Sequence, residues 1–258
     1  MLIGDYMHYP KVIFKKMSLE ENIEYIKWSY SIDSNLMSPH YYTLQYFPEL
    51  RNIKEDEINS TIEQVVSTRY NEQVDIINIE VERYSKLWEP YNDKYCEVLC
   101  NYLNSSFKEE LDTIEVHVGL MPVNPRNIEK CSFDLDINMS NEQLIGTCAH
   151  ELCHFVWFNK WKELYPDISE EEYDDGIVWQ YSEIVVDPIL NSNNINDILK
   201  IECRAYDNFY KMMDDDKLVI DNLRDIYNTN DTIENKIING YEYIKSILEN
   251  KIRNVVIL

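Results

Sequence analysis

From Leu144 to Leu164 the chain is apolar around most of a helix's circumference, and His150, Glu151 and His154 are set into this stretch in the order H-E-x-x-H. A helix that is apolar all round is a buried one. On it, positions i and i+4 lie one above the other and i+1 within about a quarter turn, so the two imidazoles and the carboxylate face one way. Polar groups taken out of water are costly unless they are paired or bind a metal. The segment therefore demands a fold that encloses this helix and brings a compensating group to its polar face.

The helix has readable ends. Ser140-Asn141-Glu142-Gln143 fits the capping box, and Tyr165-Pro166 stops the run. Two alternating segments precede it, Ile114-Val116-Val118 and Phe133-Leu135-Ile137, which read as half-buried strands joined by a connection carrying Pro122 and Pro125. The first hundred residues read as helical. Ser18 through Tyr30 is amphipathic after a Ser-x-x-Glu start, Lys54 through Leu87 keeps helical spacing, and Tyr91 through Leu103 resumes it after Trp88-Glu89-Pro90. Ser38 to Tyr42 reads as a loop or turn. Beyond the motif, Ser169 opens a helix to about Pro188 with Glu172 in the capping position, and Ile195 to Ile252 supplies two or three more. The expected class is α+β and mostly helical, with a helical N-terminal region over 1–110 and the motif region over 111–258.

Composition limits the partners. With 47 acidic against 24 basic residues the formal charge is −23, which argues against nucleic acid, because phosphate binding depends on clustered Lys and Arg. The start Met1 to Tyr6 lacks a basic region followed by an apolar core, and no apolar run approaches the roughly 20 residues that span a bilayer. The expectation is a cytoplasmic chain with no membrane partner. Six cysteines, Cys148 and Cys153 on the motif helix among them, show no C-x-x-C pair and read as small buried hydrophobes.

Zinc takes neutral imidazole as a ligand and keeps an open position when catalytic, while a nearby carboxylate can accept a proton from water. A third protein ligand is then needed. Glu183 and Asp187, spaced i and i+4 on the later helix, are the candidates, with Glu183 in mid-helix among Val178, Trp179, Ile184 and Val185, where a buried carboxylate calls for a metal. Glu172, Asp174 and Asp175 compete, but they fall in a first turn where acidic residues are common for the helix dipole alone.

His150-Glu151-x-x-His154 followed by Glu183-x-x-x-Asp187 resembles the gluzincin group of zinc metallopeptidases, to which thermolysin belongs, over about Thr113 to Ile189. The resemblance implies a zincin-like core, with a small antiparallel-edged sheet packed on the H-E-x-x-H helix and on the glutamate helix. It implies Zn2+ held by His150, His154 and Glu183, Glu151 as general base, Asp187 as the acceptor that orients a histidine, a peptide or protein substrate, and Ser132 to Asn138 as an edge strand to which an extended peptide adds. No histidine follows His154, so any oxyanion donor would be a tyrosine, Tyr181, Tyr206, Tyr210 and Tyr227 being available. Glu183 to Leu190 is also similar to the ligand helix of small intracellular H-E-x-x-H proteins that cut one repressor. A metal-binding interaction module without catalysis is the reading from outside enzymes; a general base beside the histidines speaks against it.

Overall fold

The computed structural model describes residues 9–32, 38–169, 173 and 176–255. The chain forms two compact units that interleave along the sequence, one from Lys11–Pro90 and Thr113–Leu144, the other from Met1–Pro10, Tyr91–Asp112 and Ile145–Leu258.

The first is a sheet unit. Its strands are β1 (Lys11–Lys16), β2 (Thr113–Gly119), β3 (Arg126–Asn127) and β4 (Ser132–Asp136), ordered β1-β2-β4-β3. The β1–β2 and β2–β4 pairs are parallel, and β3 adds antiparallel to β4. Period-2 alternation puts Ile114, Val116 and Val118 on the buried face, and the register lines up Phe14, Val116 and Phe133 in one row across three strands. The other face is charged, with Lys15 paired to Glu115 and His117 to Asp134.

Three helices complete the unit: α1 (Leu19–Ser31), α2 (Pro39–Tyr46) and α3 (Ile58–Trp88). The long α3 carries Ile62, Val66, Tyr70, Ile77 and Tyr84 inward, setting Tyr84 edge-on to Phe14 with ring centres 6.3 Å apart. The capping box expected at Ser18 is present, Ser18 and Glu21 each accepting the other's backbone N–H.

Three expectations are corrected here. Residues Lys11–Lys16, expected to be helical, form β1, whose partner strand lies a hundred residues later and leaves no local trace. Ser38 to Tyr42, expected to be a loop, opens α2, with the Ser38 hydroxyl accepting from the Tyr41 N–H and Pro39 in the first turn. Both are helix-start signals. The strand at Ser132–Asp136 is not an edge. It lies between β2 and β3, and its outward donors are taken, Asp134 N–H by the Pro125 carbonyl at 3.0 Å and Asp136 N–H by Asn124 Oδ1 at 3.3 Å.

The second unit is helical: α4 (Asn92–Leu103), α5 (Asn141–Leu164, of which Ile145 onward belongs here), α6 (Gly176–Leu190), α7 (Asn193–Leu199), α8 (Val219–Tyr227) and α9 (Ile233–Val255). A small hairpin of β5 (Met213–Asp214) and β6 (Lys217–Leu218) precedes α8. The motif helix starts as its sequence announced, with Ser140 N–H donating to Gln143 Oε1 at 2.9 Å and Gln143 N–H to Ser140 Oγ at 3.2 Å. An aromatic core joins α5 to α6 and α9, Trp157 lying 5.5 Å and Trp161 6.2 Å from Tyr181, with Tyr241 4.8 Å from Trp161. The Tyr181 hydroxyl donates to the Ile237 carbonyl at 2.9 Å and sits 2.8 Å from that of Tyr227, which satisfies both polar tips inside the core. All six cysteines are buried and unbridged. No helix among the described residues is long and apolar enough to cross a membrane.

Candidate metal centre

The polar face of α5 finds its compensating group on α6. From Tyr181 to Leu190 every residue of α6 is buried, so its two carboxylates must be satisfied by protein or by a ligand. Glu183, with no side-chain exposure, reaches both motif histidines: His150 Nε2 lies 3.1 Å from its Oε2 and His154 Nε2 3.6 Å from its Oε1. One ligand atom from each of the three residues falls within 4.8 Å of the others. The two imidazole rings stand 4.7 Å apart at 70°, and His154 stacks on Phe158, which stacks in turn on Tyr173. His154 is fully enclosed, whereas the His150 side chain keeps 16% of its surface in solvent. The group is thus closed behind and open at one side.

This donor set fits a metal ion. Ligand atoms about 2.1 Å from a tetrahedral ion stand about 3.4 Å from one another, and the two carboxylate-to-imidazole distances bracket that value. A divalent cation would offset the cost of burying the Glu183 charge. His150, His154 and Glu183 can therefore hold a metal ion. Glu151, 5% exposed, is a second buried carboxylate, carried by the turn of α5 that bears the two histidines.

Asp187 is not brought to the histidines. Its Oδ1 accepts from Arg224 Nε at 2.7 Å, and its Oδ2 from Arg224 Nη2 at 2.9 Å and from the Tyr210 hydroxyl at 2.6 Å. This is a two-pronged charged pair with a third donor, and no histidine takes part. The fork raises the guanidinium pKa of Arg224, and burial with the adjacent Asp187 raises the phenol of Tyr210. Nothing in the sequence points to Arg224, because α8 stands in no periodic relation to α6, and nothing there separates Tyr210 from Tyr181, Tyr206 and Tyr227.

Of those four, Tyr181 and Tyr227 are bonded to each other in the core and Tyr210 is bonded to Asp187, while Tyr206 is 49% exposed. The described span of the glutamate helix is Gly176–Leu190, and the first turn expected after Ser169, with Glu172, Asp174 and Asp175, lies outside the described residues. Cys148 and Cys153 are wholly buried, and burial pushes both thiols well up, as befits packing groups.

No protein-family model, curated protein or solved structure matches this chain.

Proposed function

We propose that the chain is a zinc-dependent peptidase of gluzincin type, with His150, His154 and Glu183 holding the ion. The observation that carries this reading is the three-residue cluster itself, two helices converging through buried side chains on one point. Two imidazoles and one carboxylate are a donor set of catalytic zinc, and three protein ligands leave a fourth position open. The exposed side of His150 supports an approach from solvent. A closed structural site would instead enlist a fourth protein ligand, and none joins the cluster among the described residues.

A zinc ion held by His150, His154 and Glu183 would supply a Lewis acid that polarises a carbonyl and lowers the pKa of a bound water to about 7. The protein's own groups do the rest. His150, His154 and Glu183 fix the position of the reacting centre, since α5 is capped at Ser140 and α6 is buried from Tyr181 to Leu190. Glu151 accepts the proton of the attacking water as its oxygen bonds to the carbonyl carbon, then returns that proton to the amine nitrogen as the amide C–N bond breaks. The outward donors of β4 are already bonded, so peptide addition to that strand forms no part of the mechanism.

The test is metal content and turnover together. Purified parent and Glu151→Gln are expected each to carry about one zinc per chain, because Gln leaves the ligands in place, and only the parent should hydrolyse a mixed peptide pool. Undiminished hydrolysis by Glu151→Gln, or parent protein free of zinc after growth and dialysis with it, would sink the proposal.

A further inference from the structure

A cavity of about 430 Å³ lies over the charged face of the sheet, bounded by α1, by β3 and by the turn that joins β3 to β4, and every residue lining it belongs to the sheet unit. No residue of the metal centre takes part. A space of this size admits a small molecule. The charges that the protein leaves unmatched there decide which kind.

Helix α1 buries Asn22, Ile26 and Ser29 and gives the cavity Glu21, Glu24, Tyr25 and Trp28, which share one face at i, i+3, i+4 and i+7. The Tyr25 and Trp28 rings stand 5.4 Å apart at 43°, and Trp28 keeps 47% of its surface in water. One cation can therefore sit within about 6 Å of both ring centres, the reach of cation–π attraction. Glu24 adds a negative charge beside them. Its own pair with Lys27 is long, at 3.8 Å, and Lys27 is held closer by Glu63 at 2.7 Å. Glu21 is engaged as the acceptor for the Ser18 N–H. On the floor, His117 is already paired, 3.0 Å from Asp134 and 3.5 Å from Glu115. The remaining wall is basic. Arg126 comes from β3, and Lys130 from the turn after it, where Asn127 Oδ1 accepts the Lys130 backbone N–H at 2.8 Å. The Lys130 side chain is exposed and in no ion pair among the described residues.

We propose that this cavity binds a small betaine-type zwitterion, its methylated ammonium against Trp28, Tyr25 and Glu24 and its single negative charge against Lys130 and Arg126. The inference stands apart from the peptidase reading. A primary ammonium is a compact and strongly hydrated charge, costly to lay on aromatic rings, whereas methyl groups spread the charge and bury apolar surface against them. The basic wall calls for an anion, which a guanidinium can meet with two parallel N–H donors. A net anion would be opposed by the field of a chain carrying −23, and a bare cation would leave Lys130 without a partner. A free betaine and a choline phospholipid headgroup share this chemistry.

The test is calorimetry on the full chain with γ-butyrobetaine, γ-aminobutyrate and tetramethylammonium. γ-Butyrobetaine should bind at least about tenfold more tightly than γ-aminobutyrate, which lacks the methyl groups, and than tetramethylammonium, which lacks the carboxylate. Trp28→Ala should remove the first preference, Trp28→Phe should keep most of it, and Lys130→Glu should remove the second. Both side chains are exposed, so the variants should melt with the parent. Excess chelator should leave binding unchanged. Equal affinities for the three probes, an unaltered affinity in Trp28→Ala, or no binding at about 10 mM would overturn the inference. So would loss of binding on chelation, which would put the carboxylate on a metal ion instead. Phosphatidylcholine vesicles distinguish the source: co-sedimentation abolished by Trp28→Ala assigns the site to a headgroup, and γ-butyrobetaine binding without co-sedimentation assigns it to a free solute.

Discussion

Glu183 and Asp187 are chemically alike, one turn apart on α6 and equally buried, yet they serve different partners. Glu183 meets His150 and His154, and Asp187 meets Arg224 and Tyr210. Their substitutions should therefore separate. Glu183→Ala removes a ligand and should lower zinc affinity by more than the roughly 10- to 100-fold that follows loss of a ligand-orienting group. Asp187→Ala should leave zinc affinity within about tenfold, because no histidine depends on it. It should instead lower stability by about 2–4 kcal/mol, less than for a fully buried pair, since Arg224 is 36% exposed and also reaches Asp221 at 3.2 Å. Chelator competition and urea unfolding read the two quantities. Zinc loss in Asp187→Ala matching that in Glu183→Ala would refute the division. Glu183 was legible in the sequence, because a carboxylate in mid-helix between apolar neighbours states its own need. The partners of Asp187 were not, since nothing in α6 says that a guanidinium 37 positions later will fold against it.

Helices of this chain announce themselves by caps and by periodicity, and α1, α3, α4 and α5 lie where those signals place them. Strands fare unevenly. β2 and β4 show clean alternation because one face is buried and the other charged, while β1 offers only Val12-Ile13-Phe14 between lysines and acquires its identity from a distant parallel partner. Contacts between helices are written even less plainly. Gly240 on α9 reads as a neutral helix glycine, yet a Cβ there would stand 2.5 Å from the Tyr181 hydroxyl and 3.2 Å from Leu223 Cδ1. That hydroxyl cannot swing away, being bonded to Ile237 and Tyr227 on a fully buried ring. Gly240→Ala gains about 0.5–1 kcal/mol of helix propensity and loses about 1–3 kcal/mol to overpacking. Overpacking should win, giving a net destabilisation of about 1 kcal/mol in urea unfolding, and Gly240→Ala paired with Tyr181→Phe should recover part of it. A stabilised Gly240→Ala would show that α9 can shift to make room.

At the scale of the molecule, charge is the property most plainly legible in the sequence and least balanced by the structure. Ion pairs such as Lys15–Glu115, Lys86–Glu82 and Lys217–Asp225 are largely solvent-exposed and individually contribute little. The surplus of acidic residues therefore acts as self-repulsion that favours expansion. Raising ionic strength from about 0.01 M to about 0.15 M shortens the screening length from about 30 Å to about 8 Å. Thermal unfolding at neutral pH should rise by about 2–4 °C for each kcal/mol of repulsion so removed. Acidification should act in the same direction at first. His117, its pKa raised chiefly by the hydrogen bond to Asp134, contributes stability that is fully present below the ordinary histidine value and lost as pH rises through its folded value. Further acidification reverses the trend. Glu21, held down by the Ser18 cap, and Glu234, pushed down to about 2 by Asn104, contribute stability that is present above the ordinary glutamate value and lost as pH falls through their folded values. The metal-free protein should thus melt higher at about pH 5.5 than at about pH 8, and lower again below about pH 4. A melting temperature that falls with added salt at neutral pH would mean that local pairing outweighs the net field, and the account of the surface would have to be rebuilt from its ion pairs.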